Sequence, residues 1–189
     1  MDVVFGVEEK TIIFWIVHIQ KKYNNYIMKI PVRYVPNKIT RADKQKQIAM
    51  LIKSRKLYKQ HKYFTRAKIA SYKNKTSQHI LNARKIYNIQ HVKPGKELAL
   101  KTGCTIAALK EIVKRGEGAY YSSGSRPNQT AFSWAVARLT SSLTGGKSAS
   151  VNFNILDKGC NHKKKAFILA NKSRKKYKYG QSKTRKVDV

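Results

Sequence analysis

The sequence predicts a mainly α-helical protein: a small helical domain with a helix-turn-helix-like unit and basic extensions. Three observations carry that expectation. Glu97 to Gly116, ELALKTGCTIAALKEIVKRG, has the spacing of two short helices joined at Gly103. Thr40 and Thr130 each stand directly ahead of a stretch with apolar residues at helical intervals, where N-caps stand. Finally, 41 Lys and Arg face 9 Asp and Glu across 189 residues, a formal net charge of +32, while 41% hydrophobic residues still supply a core. Self-repulsion on that scale opposes the compact state, so a polyanionic partner is the economical explanation. Nucleic acid comes first, an anionic membrane surface second and acidic protein partners third. The expected division is an extension over residues 1–30, a basic helical domain over 31–160, and a basic helix and tail over 161–189.

The N-terminal apolar run Thr11–Val17 is too short to span a bilayer. Asp2, Glu8 and Glu9 precede it, which is wrong for a signal peptide, so secretion is not expected. The regularly punctuated basic sequence begins at Met28, an alternative start. Thr40 and Asp43 then resemble a capping box with Asp in place of Glu, opening a helix over Arg41–Gln60. Ile48, Leu51 and Ile52, with Arg55 and Tyr58, fall near one face of it. From Lys44 to Lys96 no acid occurs, so Lys53, Arg55, Arg66, Lys68 and Lys73 are candidate phosphate contacts. Tyr63, Phe64 and Tyr72 alternate with these cations, as stacking residues do beside a nucleic-acid backbone, or as core residues of short helices do. Thr76 or Ser77 caps a further helix to about Tyr87, with Ile86 and Tyr87 as core.

In the helix-turn-helix stretch each residue type has a reason. Ala99 is small for a close crossing, Gly103 can take the left-handed conformation that ends the first helix, and Thr105 can cap the second. Leu109 and Ile112 pack back, and Gly116 is placed to end the second helix. Thr105, Ala107, Lys110, Lys114 and Arg115 would then face a DNA groove. Glu111 would repel phosphate there unless it reads cytosine or pairs with Arg115.

Charge drops sharply after Gly118, where the neutral loop Ser122 to Gln129 follows. Ser122, Ser123, Ser125, Asn128 and Gln129 could present hydroxyls, amides and backbone N–H groups to an anion or a partner, with Arg126 and Lys147 supplying charge. Thr130 caps a helix to about Leu143, with Phe132, Ala135, Val136, Leu139 and Leu143 inward, and Trp134 four residues from Arg138 for stacking. Gly145-Gly146-Lys147-Ser148 is not a P-loop: Ser141 stands where a glycine is needed, and a helix rather than a strand precedes it. The loop serines have no paired His or acid, and so few carboxylates exist that a two-metal nuclease is poorly supplied. No cofactor is implied. Cys104 and Cys160 do not make a disulfide framework, and Cys160 with His162 completes no zinc pattern. Asn161 caps a basic helix bearing Lys163, Lys164, Lys165, Arg174, Lys175 and Lys176, with Ala166, Ile168, Leu169 and Ala170 as its apolar side. Beyond Gly180 the tail is expected to order only on a polyanion.

Tyr34-Val35-Pro36, Lys53-Ser54-Arg55, Leu98-Ala99 with Thr102-Gly103-Cys104, and above all GAYYSSGSRPNQTAFSWAVARL followed by Thr144-Gly145-Gly146-Lys147 form a recognisable combination. Over roughly Pro31 to Cys160 it resembles a domain of unknown function from giant and algal-infecting nucleocytoplasmic large DNA viruses. The resemblance supplies no reaction. It implies a viral origin, in the virion or in a host-cell replication compartment, nuclear or cytoplasmic.

The expected function is therefore non-enzymatic binding of double-stranded DNA, ahead of RNA, for packaging, organisation or regulation of a genome. One rival is a structural virion protein, a minor capsid or under-capsid component, that holds anionic lipid, genome or acidic capsid subunits. Another is an enzyme acting on nucleic acid or nucleotide, centred on Ser122–Asn128 and Lys147.

Overall fold

Caps and left-handed stops divide the described residues into eight α-helices, with 59% of those residues helical. The computed structural model describes residues 28–181 and 183–189, so the apolar run Thr11–Val17 and most of the 1–30 extension lie outside the described residues. In chain order the helices are α1 (Arg41–Tyr58), α2 (Gln78–Tyr87), α3 (Lys96–Thr102), α4 (Ile106–Ser122), α5 (Ala131–Leu143), α6 (Lys147–Val151), α7 (Phe153–Gly159) and α8 (Lys165–Lys176). None is long and apolar enough to cross a membrane among the described residues.

The caps are physical. Thr40, Thr105 and Thr130 each accept a backbone N–H from the first turn of α1, α4 and α5, and at Thr130 the bond is reciprocated by Ser133. The expected Thr40–Asp43 box is only half made. Asp43 turns its carboxylate to Ser71, whose backbone N–H (2.8 Å) and hydroxyl (2.6 Å) both donate to it. Those bonds hold Asp43 below the usual carboxylate range. Gly116 does not end the second helix, which runs on to Ser122. It is needed for another reason: a Cβ there would lie 2.6 Å from Ala135 Cα, so Gly116 lets α4 and α5 cross at backbone distance.

Leu98, Leu109, Ile112, Leu139, Leu143, Leu156, Ala166 and Ala170 form the main core, to which α2 adds Ala83 and Tyr87. Tyr87 donates its hydroxyl to the Leu143 carbonyl, and burial pushes its pKa well above the usual tyrosine value. Phe132, expected inside, is exposed on α5.

A second, smaller core of Ile39, Met50 and Ile69 lies under residues 62–77, which cross the molecule without regular secondary structure. Here the inner face of α1 is Gln47, Met50, Leu51 and Ser54, while Ile52 is exposed. Polar side chains were needed because this face meets loop carbonyls. Gln47 Nε2 donates to Tyr34 O at 3.1 Å, and Ser54 Oγ to Tyr121 O at 3.1 Å.

Residues 33–184 form one compact unit, and residues 28–32 and 185–189 belong to another. In the latter, β1 (Lys29–Pro31) pairs antiparallel with β2 (Lys186–Asp188), Ile30 opposite Val187. The end of the basic tail is thus a strand, because the chain contains a partner for its backbone groups.

Candidate nucleic-acid interface

The turn between α3 and α4 is built as its residue types suggest. Gly103 takes φ 71°, ψ 20° and returns its N–H to Ala99 O at 2.8 Å. Thr105 Oγ1 then accepts the Ala108 N–H at 3.2 Å. With Leu109 and Ile112 fully buried, the opposite side of α4 is left in solvent. Thr105, Ala107, Lys110, Glu111, Lys114 and Arg115 are all exposed there. Glu111 pairs with Arg115 at 3.0 Å, one turn apart. At half exposure that pair contributes little stability, but it keeps the carboxylate turned toward a cation.

The C-terminal basic cluster joins this corner. Cys104 and Cys160, which were not expected to pair, are disulfide-bonded across a separation of 56 residues. Around them the α3–α4 turn runs against the α7–α8 connection. Thr105 N–H donates to Gly159 O at 2.7 Å, and Asn161 N–H to Gly103 O at 2.8 Å. Lys164 lies over the turn so closely that a Cβ on Gly103 would fall 2.5 Å from Lys164 Cγ. Lys158, Lys163, Lys164 and Lys165, all exposed, therefore flank the N-terminal end of α4. A shallow hollow of about 310 Å³ separates the two cation groups, between Ala107 and Arg115 on one side and Asn154 and Lys158 on the other. Asn161 bonds the Lys163 N–H, and α8 itself starts after Lys164. His162 contacts Asp157 at 3.3 Å and stacks on Phe167. With Cys160 oxidised, neither residue of the Cys160–His162 pair is left as a thiolate–imidazole ligand set.

Other candidates fall elsewhere. Lys175 and Lys176 are exposed roughly 15 Å further along α8. Arg174 is occupied, with its guanidinium 4.3 Å from the Phe153 ring centroid and 4.9 Å from that of Tyr179. Lys68 and Lys73 are exposed on the irregular segment, and Lys53 sits over the Phe64 ring at 4.8 Å.

Arg55 and Arg66 serve the neutral loop. Arg55 Nη2 donates to Ser123 O at 2.8 Å. Arg66 donates from Nη1 to Ser54 Oγ (3.1 Å) and Tyr120 O (3.0 Å) and from Nη2 to Ser125 Oγ (2.7 Å). Its guanidinium lies 3.6 Å from the Tyr120 ring centroid. Burial is the first cause that lowers the pKa of each.

The loop itself is a structural knot. Ser125 is fully buried and Asn128 sits at φ 56°. The Asn128 amide copies a peptide group: it accepts Ile69 N–H at 2.7 Å and donates to Ile69 O at 3.0 Å and Tyr72 O at 2.9 Å. Gln129 accepts from Ser133. Only Ser122, Ser123 and Arg126 of this group face solvent. Lys147 donates to Thr184 Oγ1 at 2.9 Å, and burial, then Arg33, lower its pKa.

Three features were not among the expected site residues: Lys158, the half-buried Arg138, and the packing of Tyr58, Tyr63 and Tyr121 against one another. Arg138 does not stack on Trp134. It donates to Asn152 Oδ1 at 3.2 Å, while Trp134 meets Tyr34 edge-on at 5.6 Å. The Tyr120-Tyr121 doublet offered a signal, since Tyr120 is fully buried while Tyr121 is only partly so.

Residues 31–165 match a family of unknown function (DUF5824), and the chain belongs to that family. No curated protein and no solved structure matches it.

Proposed function

We propose that this DUF5824 protein binds double-stranded DNA without catalysing a reaction on it, and that α4 docks in the major groove. The observation that carries the reading is the convergence at one corner. The exposed face Thr105, Ala107, Lys110, Lys114 and Arg115 stands beside Lys158, Lys163, Lys164 and Lys165. A capped helix offers its N-terminal turns to base edges, while flanking lysines neutralise phosphates on either side of the groove. The formal net charge of +32 supplies long-range attraction to the same partner. Lys68, Lys73, Lys175 and Lys176 add phosphate contacts away from the groove, whereas Arg55, Arg66 and Arg174 hold the fold. The setting that fits the sequence resemblance is a viral genome, in the virion or a replication compartment.

The deciding experiment is a titration of the purified protein against duplex DNA, RNA and anionic vesicles at two salt concentrations. Duplex binding that weakens steeply with salt is expected, with Lys110→Ala changing the preferred sequence. Stronger binding to vesicles than to duplex would overturn the reading in favour of a membrane-facing virion component.

A further inference from the structure

We propose that the hollow beside the C-terminal half of α4 seats one nucleotide of an unpaired strand, its phosphate at Arg138 and its base on the tyrosines at the rim. The proposal rests on the reading that the partner is a nucleic acid, and adds to the duplex face a second place for single-stranded DNA.

The hollow has a volume of about 570 Å³ and lies between the end of α1, α4 and α5, with Tyr58, Glu111, Lys114, Arg115, Ser122 and Arg138 in its lining. Three cations face one carboxylate there, and that carboxylate is already held by Arg115. Arg138 is the unusual member. Its Nη2 is held by Asn152, its buried Nε has no hydrogen-bond partner, and it makes no ion pair among the described residues. Desolvation first, and then the like charge of Arg115, work against its protonated form. An anion set between the two guanidiniums removes that conflict and accepts from two planar forks, which phosphate oxygens match well.

The rim provides the second half of the site. Tyr58 lines the hollow and also belongs to the tyrosine cluster. Its ring lies nearly parallel to that of Tyr121, at 6.2 Å and 9°. Tyr63 meets Tyr121 edge-on at 4.9 Å, and it is 71% exposed. A tyrosine that loses so little water on folding has an open ring face. Bases inside a duplex already stack on each other, so an aromatic platform beside a cationic hollow selects an unpaired base.

The test uses the full chain, a fluorescein-labelled oligothymidylate of about ten nucleotides, and a closed DNA dumbbell with no unpaired end. Tyr63→Ala removes the platform at an exposed position, and Ser122→Glu puts a negative charge into the hollow from an exposed helix end. Each variant is expected to weaken single-strand binding about tenfold and to leave dumbbell binding unchanged. Lys110→Ala is expected to do the reverse. Oligothymidylate affinity that is indifferent to both variants overturns the proposal, and so does equal weakening on strand and dumbbell. Dumbbell binding without any strand binding sinks this inference alone, while a protein that ignores both ligands sinks the duplex reading with it.

Discussion

The Arg66 guanidinium donates to Ser54, Tyr120 and Ser125 and lies over the Tyr120 ring, so its charge is spent inside the molecule. Replacing it by Met would leave the Tyr120 carbonyl and two hydroxyls short of a donor. The expected cost is roughly 2–4 kcal/mol, read as a lower urea midpoint at an unchanged slope. Arg66→Lys should recover little, because an ammonium cannot reproduce the fork that bridges Ser54 and Ser125. If Arg66→Met kept full stability and lost DNA affinity, Arg66 would be a phosphate contact after all. Nothing in the sequence separates Arg66 from the exposed Lys68 two positions on, since both stand in the same acid-free run. What separates them is which backbone carbonyls the fold brings near, and that is set by Tyr120, 54 residues away.

At the scale of elements, local chemistry was legible and long-range pairing was not. Thr40, Thr105 and Thr130 announced α1, α4 and α5 because a cap needs only its own first turn. Gly103 was readable for the same reason. Gly116 was misread as a stop because its real constraint, the Ala135 backbone, comes from another helix. The α4 face was legible, but the lysines that join it were not, since the 56-residue separation of Cys104 from Cys160 hides their pairing. That bond ties the helix-turn-helix to the α7–α8 connection, so it acts on stability and on the site together. Cys104→Ser is expected to cost up to about 4 kcal/mol on chain-entropy grounds. If the disulfide also holds Lys163, Lys164 and Lys165 in place, reduction of the native protein should weaken duplex binding under conditions where circular dichroism still reports full helix. Unchanged duplex affinity on reduction would mean that the backbone bonds from Thr105 to Gly159 and from Asn161 to Gly103 suffice.

Across the whole molecule, charge is the dominant fact, yet its energetic meaning depends on where each cation points. Four arginines turn inward, and Arg55, Arg66, Arg138 and Arg174 each donate to a neighbouring oxygen or lie over a ring, whereas Arg33, Arg41, Arg84, Arg115, Arg126 and Arg185 are exposed. Lysines largely stay in water, and the helix-turn-helix corner gathers Lys110, Lys114, Lys158, Lys163, Lys164 and Lys165. This division follows from chemistry, because a planar fork survives burial among carbonyls and rings, whereas a compact ammonium keeps its hydration. Counterion release gives it a measurable consequence. Each phosphate neutralised contributes about 0.9 to the slope of log affinity against log salt on duplex DNA. Changing Lys163, Lys164 and Lys165 together to Ala should therefore lower that slope by about 2.7 if all three meet phosphate. The preferred sequence should stay as it was if, as in the proposed docking, these residues flank the groove and read no base. The same triple change made distant from the corner, at Lys44, Lys46 and Lys85, should lower the slope by much less. Equal effects from the two triples would show that diffuse charge, not a docked helix, governs binding, and the major-groove placement of α4 would fall.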